Sequence, residues 1–428
     1  MDILIINHYA GSPYHGMEYR PFYLAREWVK KGHRVIILAS SVSHVRTNSP
    51  KLTSREKIEE IDGIKYIWLK TLRYQGNNIR RALNMLSFVA KVFRCYRSWP
   101  PDFHPDLVIA SSTYPLDNFP AYYLARRFKA RFIYEVHDLW PLSAIELGNM
   151  PKWHPFILLM QWAEDFAYHK ADCVISLLPK AESHMRKHGL APGKFIYIPN
   201  GIDIEEWNHC DAALPDVHDQ ALRRLRAGAQ FIVGYVGAHG VANALHLILE
   251  AAWYLRDRSV SILFVGTGPE KVNLQRLAVE KGLNHVEFLP SVPKECVPGL
   301  LSKLDALIIT LKPISLFRFG ISPNKLMDYM MAGKPIIQAI DAGNDIVGEC
   351  DCGISIRQVE PTAIAQAILK IMSMNQKERL AQGLRGKEYV RKNYDYAILS
   401  DRFINACLKT AGKHLGRQSG LKGKVPPS

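Results

Sequence analysis

The sequence predicts an α/β protein of two doubly wound domains, and three observations carry that expectation. Short runs rich in Ile and Val alternate with amphipathic helical stretches almost from end to end. The runs are continuously apolar, as in strands buried on both faces of a parallel sheet. The rhythm then restarts after Asn200-Gly-Ile-Asp203, and 428 residues are enough for two cores.

In order, the first half offers strands at 3–8, 34–39, 65–69, 107–111, 131–136 and 173–177. The first helix carries start signals, Glu18 in its first turn and Pro21 near its first position. Lys30, Lys31 and Gly32 close it. The second half offers strands at 231–236, 261–265, 286–289, 306–311, 335–339 and 354–356, with helices at 242–256 and 362–374 between them. The expected division is 1–200, 201–394, a helix at 395–415 returning to the first domain, and a disordered tail at 416–428 rich in Gly, Pro and Lys.

Lys and Arg number 55 against 40 acidic residues, a net charge of +15 that favours anionic partners. A nucleic-acid binder would explain the charge but not the loops below, so no nucleic-acid partner is expected. The seven cysteines are an odd number without zinc or redox spacing, and Cys350 and Cys352 are their only close pair. That pattern fits a reducing compartment. No basic segment precedes an apolar stretch at the N-terminus, and the apolar runs fall short of the roughly 20 residues of a membrane span. The expected location is the cytoplasm. Residues 78–97 combine apolar residues with five cations, suiting either an anionic inner-membrane surface or an ordinary packed helix.

In a parallel sheet the chemistry belongs to the loops after the strands. The first strand runs into Tyr9-Ala-Gly-Ser-Pro-Tyr-His-Gly-Met-Glu-Tyr-Arg20, where Gly11 and Gly16 permit close backbone approach and His15, Glu18 and Arg20 cluster. A merely flexible connection is the alternative. His137 and Asp138 emerge at another strand end, where they could bind sugar hydroxyls, with Trp140 shaping a pocket. A satisfied structural histidine is the competing reading. In the second half, Gly234-Tyr-Val-Gly-Ala-His-Gly240 and Val265-Gly-Thr-Gly-Pro-Glu270 follow successive strands, which suits a phosphate-sized or nucleotide-sized ligand.

The segment 319–337 is the most informative. Ser322 or Asn324 reads as a helix cap, which puts Lys325 in the first turn against the macrodipole. A bound diphosphate would resolve that conflict. Asp328, three residues on, could accept hydrogen bonds from ribose hydroxyls.

With these motifs in order over roughly residues 1–400, the chain resembles a retaining GT-B glycosyltransferase of family 4, and among its members those that build bacterial O-antigen, capsule or lipopolysaccharide. The motifs are Asn7-His-Tyr9 with Gly16, Lys31-Gly-His-Arg-Val35, Val136-His-Asp138, Ile198-Pro-Asn-Gly-Ile-Asp203, Val265-Gly-Thr-Gly-Pro269 and Asn324–Pro335. The resemblance implies two Rossmann-like domains facing a cleft, and a cytoplasmic enzyme that uses a nucleotide-sugar donor, UDP-linked, and a lipid-linked saccharide acceptor. The transferred sugar would be an N-acetylated amino or deoxy sugar.

On that resemblance, Gly237, His239, Gly266, Ser322, Pro323, Asn324, Lys325 and Asp328 hold the donor. His137 orients the sugar and, with Lys325, is the catalytic pair. Gly16, Glu18, Arg20, Asp138 and Trp140 lie on the acceptor or sugar side.

Two departures stand out. Gly320 occupies the place of the first acid of the family's E-x7-E motif, and the usual Arg/Lys pair after Gly237 is absent. Lys325, with His239, is therefore expected to neutralise the diphosphate. No cofactor or metal is expected, since no Asp-x-Asp triplet stands out. A sugar-nucleotide epimerase and a non-catalytic sugar-nucleotide-binding subunit remain as alternatives.

Overall fold

The computed structural model describes residues 1–415 except Asn77 and Asp211, with side chains as far as Lys409. The stretch 416–428, expected to be a disordered tail, lies outside the described residues. The chain forms two compact units, one of residues 1–199 with the chain from Tyr396 onward, the other Asn200–Asp395.

The first unit has eight strands: β1 (Asp2–Ile6), β2 (Arg34–Ser40), β3 (Glu56–Ile61), β4 (Ile64–Leu69), β5 (Leu107–Ala110), β6 (Arg131–Val136), β7 (Cys173–Ser176) and β8 (Phe195–Tyr197). They lie in the order β3-β4-β2-β1-β5-β6-β7-β8. All neighbours are parallel except β3 and β4, which form an antiparallel hairpin. The second unit holds β9 (Phe231–Val236), β10 (Val260–Val265), β11 (Val286–Leu289), β12 (Ala306–Thr310), β13 (Ile336–Ala339) and β14 (Gly353–Ile356). Their order is β11-β10-β9-β12-β13-β14, all parallel.

Two strands escape the sequence pattern. The segment of β3, Glu-Lys-Ile-Glu-Glu-Ile, is mostly charged because it is the sheet edge, where charge blocks pairing with another chain. At three residues, β8 is too short to show a period.

Strand order reverses between β1 and β5 in one unit and between β9 and β12 in the other. Helices there leave toward opposite faces, so a crevice opens at the carboxyl ends of those strands. The loops after β1, β5 and β9 thus become candidate site walls for a topological reason.

Local signals are modified where tertiary contacts compete. Helix α1 spans Arg20–Lys30 with Pro21 in its first turn, while Glu18 falls ahead of the helix rather than inside it. The helix expected at 242–256 is shortened to His246–Trp253, preceded by a 3-10 turn at Val241–Asn243. The reason is visible in the carbonyls. Lys312 N–H donates to Ala242 O at 2.9 Å, and the Thr310 hydroxyl donates to Asn243 O at 2.5 Å. Both are drawn out of the helical ladder.

The helix Tyr396–Leu415 packs against α1 within the first unit. Tyr396 stacks on Tyr23 at 5.0 Å, Phe403 meets Trp28 edge-on at 5.2 Å, and Trp28 Nε1 donates to Ser400 O. Lys31 adds an ion pair with Asp401 at 2.6 Å. Helix α2 (Ile79–Val92) buries Met85, Phe88 and Val92, spaced at helical intervals, while Ile79, Leu83 and Leu86 stay exposed. The packed face is that of an ordinary surface helix, and the exposed apolar residues lie on its opposite side. Arg81 is not on the outer face: its guanidinium lies 5.7 Å from the centre of the Tyr9 ring.

Trp28 is one of the largest fully buried side chains. Trp28→Ala is expected to lower the unfolding free energy of this unit by about 3–5 kcal/mol, read as a shift in the denaturant midpoint of its transition.

Candidate functional site

Each unit gathers polar side chains at the carboxyl edge of its sheet. In the first unit the centre is His137, just past the end of β6 and almost wholly buried. Its Nε2 lies 3.0 Å from Ser111 Oγ, which follows β5, and 3.4 Å from Glu135 Oε2. Glu135 and His137 share one face because side chains two apart on a strand point the same way. Ser111 Oγ donates to Glu135 at 2.6 Å, and Asn7 after β1 donates to the Ser111 carbonyl at 2.6 Å.

Glu135 in turn receives Arg20 Nε at 2.9 Å, and the Arg20 guanidinium also donates to the carbonyls of Ile198 and Pro199. Burial alone would raise the Glu135 pKa, but the charges of Arg20 and His137 prevail and hold it down at about 2. Burial likewise pulls His137 down, yet the Glu135 hydrogen bond and charge outweigh it, so its pKa stands above the ordinary imidazole value. Glu18, half-buried, also contributes to that rise.

The expected acceptor-side residues separate on this geometry. Glu18 belongs to the His137 environment. Arg20 is 1% exposed with its guanidinium bound on all sides, so the structure corrects it from an acceptor contact to a buried clamp. Asp138 is exposed beside His137. Trp140 packs on Phe156 and is partly buried in a small apolar cluster. Gly16 has φ +93°, and a Cβ there would lie 2.8 Å from Thr47 N, so only glycine fits this close approach.

In the second unit the loops after β9 and β10 lie backbone against backbone. His239 N–H donates to Thr267 O at 2.8 Å, and a Cβ on Gly266 would fall 2.0 Å from Gly237 O. A Cβ on Gly237 would come 3.2 Å from Lys325 Nζ. The glycines clear the space that the lysine side chain fills. Lys325 Nζ donates to Tyr235 Oη at 2.5 Å and to Asn243 Oδ1 at 2.9 Å, and forms no ion pair among the described residues. Burial therefore lowers its pKa to about 8. His239 is fully buried, neither ring nitrogen has a partner among the described residues, and burial with the charges of Lys271 and Lys325 lowers its pKa to about 4.

Ser322 and Asn324 are corrected as caps. The helix is Asn324–Met331, Pro323 holds the cap position, and no side chain caps it. Ser322 Oγ instead accepts from Asn200 N–H at 2.8 Å, while Asn200 Nδ2 donates to Ser322 O at 2.8 Å. The Asn344 side chain grips both polar groups of the Ile321 backbone, its Oδ1 accepting from Ile321 N–H and its Nδ2 donating to Ile321 O. The first-turn amides of the helix are thus left without a side-chain acceptor, a good setting for an anion.

Asp328 is half-buried and its carboxylate makes no hydrogen bond among the described residues. Burial raises its pKa to about 7. Tyr329 pins this helix to β9: its hydroxyl accepts from Val236 N–H and donates to Val236 O.

Together these groups can receive a polyanion, with the ammonium and open amides on its charge and a free carboxylate for vicinal hydroxyls. Lys271, Tyr235, Asn243, Asn200 and Glu135 were not among the residues expected from the sequence. Only Glu135, two positions before a strand-end histidine, had a readable signal. Among the described residues, the grouping able to hold a metal ion is Glu164, Asp165 and His188, none of them in either cluster.

Residues 15–201 match the family described as glycosyl transferase 4-like domain, and residues 230–374 match that described as glycosyl transferases group 1. Over 394 residues the chain is 23% identical to the putative colanic acid biosynthesis glycosyl transferase WcaI of Escherichia coli K12, covering 89% of this chain and 93% of that one. An alpha-D-kanosaminyltransferase of Streptomyces kanamyceticus is 22% identical over 230 residues, covering 52% and 57%. The crystal structure of Anabaena Alr3699/HepE in complex with UDP and glucose shares the fold, with a TM-score of 0.65 and 16% identity over 95% of this chain and 98% of that one.

Glu135→Gln is expected to drop the His137 pKa, because burial then acts against a much weaker opposing charge. An NMR titration of the histidine ring checks this. An unmoved pKa would show that Glu135 does not govern it.

Proposed function

The chain is a glycosyltransferase of the GT-B fold, joining a glycosyl transferase 4-like domain to a group 1 domain, and we propose that it is a retaining enzyme of bacterial surface polysaccharide synthesis. It takes a sugar, an N-acetylated amino or deoxy sugar, from a UDP-linked donor to a lipid-linked saccharide. The UDP in the Anabaena complex and the polysaccharide role named for WcaI support the donor and the pathway class.

One observation carries the donor reading: the ammonium of Lys325 is buried without a counter-charge beside glycine loops and open helix amides. A buried cation with no carboxylate partner is poised for an anionic ligand. The departing diphosphate gains charge as the glycosidic bond breaks, so the ammonium and amides stabilise the transition state more than the ground state. The donor's ribose hydroxyls fall to Asp328. His137, its ring oriented by Glu135 and Ser111, positions the transferred sugar. Since the protein itself supplies the positive charge, the reaction is metal-independent, and EDTA leaves the rate unchanged.

No helix among the described residues is long and apolar enough to cross a membrane. The exposed stripe Ile79, Leu83 and Leu86 supports a cytoplasmic enzyme seated on the inner membrane face. An epimerase would convert donor incubated alone, and a non-catalytic subunit would bind donor without turnover. Screening UDP-, GDP- and dTDP-sugars for stabilisation and for transfer separates these readings.

Lys325→Ala is expected to lower kcat/KM for the donor about 10- to 100-fold, the worth of a charged hydrogen bond. The wild-type kcat/KM should fall as pH rises through about 8, where the free ammonium loses its proton. A flat profile from pH 7 to 9 would exclude this role.

A further inference from the structure

A compact polar cluster in the first unit takes no part in the site described above. It joins the helix Pro155–Lys170 to the short helix Glu182–Lys187, which follows β7. Gly189 allows the two to approach: its φ is +101°, and a Cβ there would lie 2.0 Å from His169 Cε1.

Glu164 and Asp165 come from the first helix, and His188 sits just past the end of the second. One ligand atom of each lies within 4.8 Å of the other two. A single nitrogen reaches all three residues. Gln161 Nε2 stands 2.9 Å from Glu164 Oε2, 2.7 Å from Asp165 Oδ1 and 3.0 Å from His188 Nδ1. His188 Nδ1 is itself 2.9 Å from Asp165 Oδ1.

The charges in this cluster do not balance. Glu164 is fully buried, and its other oxygen accepts from the Tyr168 hydroxyl at 2.8 Å. Among the described residues neither carboxylate pairs with a lysine or arginine, and the opposing charge is at most that of a protonated His188. An amide and a phenol supply hydrogens but no charge, whereas a buried carboxylate is best compensated by a cation.

The donor set selects the ion. Imidazole nitrogen beside carboxylate oxygen suits zinc, whereas magnesium prefers oxygen and water. His184, one helical turn before His188 and with its ring 4.6 Å away, stands where it can complete a tetrahedral set.

We propose that Glu164, Asp165 and His188 form a structural zinc site that ties these two helices together, the ion taking the place of the Gln161 amide nitrogen. The imidazole then carries its hydrogen on Nε2, leaving the Nδ1 lone pair for the metal. The proposal is independent of the transferase reading, and the transfer reaction itself stays metal-independent.

The test uses the full-length protein, stripped with EDTA, dialysed, and titrated with ZnCl2 or MgCl2 in a calorimeter. Wild type should bind one equivalent of zinc and give no response to magnesium. Asp165→Asn and His188→Gln should each weaken zinc binding by at least the roughly 10- to 100-fold that loss of an outer partner costs a metal site. His209→Gln, at an exposed histidine of the second unit, should bind as wild type does. Gln161→Ala removes the competing amide and no ligand, so it should bind zinc at least as tightly as wild type. Zinc at a hundredfold excess over its Kd should raise the thermal midpoint by about 5–10 °C, with transfer rates below the transition unchanged.

Absence of zinc binding to stripped wild type would overturn the site outright. Equal affinity in wild type, Asp165→Asn and His188→Gln would overturn it in favour of scattered surface histidines. Weaker binding in Gln161→Ala would overturn the exchange of amide for cation. A transfer rate that falls with EDTA and returns with zinc would overturn the purely structural role.

Discussion

A guanidinium buried to 1% exposure needs a carboxylate and full hydrogen bonding, because desolvation alone costs several kcal/mol. Arg20 finds both in Glu135 and the carbonyls of Ile198 and Pro199. That one ion pair joins the start of α1, the end of a central strand and the last residues before the chain leaves the unit. Its consequences spread along the sheet edge. Once Glu135 is held ionised by Arg20, its second oxygen is available to Ser111 and His137, and Ser111 is anchored to Asn7. The orientation and basicity of the imidazole are thus set by a charge pair formed behind it.

The second unit uses the opposite arrangement. Lys325 is held by a phenol and an amide, neither of which neutralises it, and burial lowers its pKa to about 8. A paired buried charge stabilises architecture, whereas an unpaired one is stabilised most when an anion arrives. The same contrast marks the carboxylates, since Glu135 is saturated with partners while Asp328 has no hydrogen bond among the described residues. The surrounding glycines serve this arrangement sterically. A side chain on Gly237 would crowd the ammonium, and one on Gly266 would run into the Gly237 carbonyl.

Much of the fold was legible because it is written in local periods. Every strand flanked by strands on both sides has an apolar run, and the helix expected at 395–415 forms from Tyr396, with Tyr396, Leu399 and Phe403 buried in the core of the first unit. What failed was local inference against a distant competitor. Asn243 read as helical, yet its carbonyl is taken by Thr310 and its amide oxygen by Lys325. Ser322 read as a cap, yet its hydroxyl is taken by Asn200, 122 residues away. The Asn-Gly pair at 200–201 was visible as a motif, but its work as a brace for the Ser322 loop depends on where that loop returns.

The sequence by itself determined the two α/β halves, the glycines after β1, β9 and β10, and the placement of His137 at a strand end, Lys325 at a helix start and Asp328 one turn further along that helix. Those follow from spacing along the chain, since period and turn chemistry act within a few residues. Only the tertiary structure decided which charges are paired. Arg20 and Glu135 are 115 residues apart, and Lys325 and Asn243 are 82 apart. Whether such groups meet depends on which strand ends become neighbours when the order reverses at β1 and β9, and no local signal encodes that adjacency.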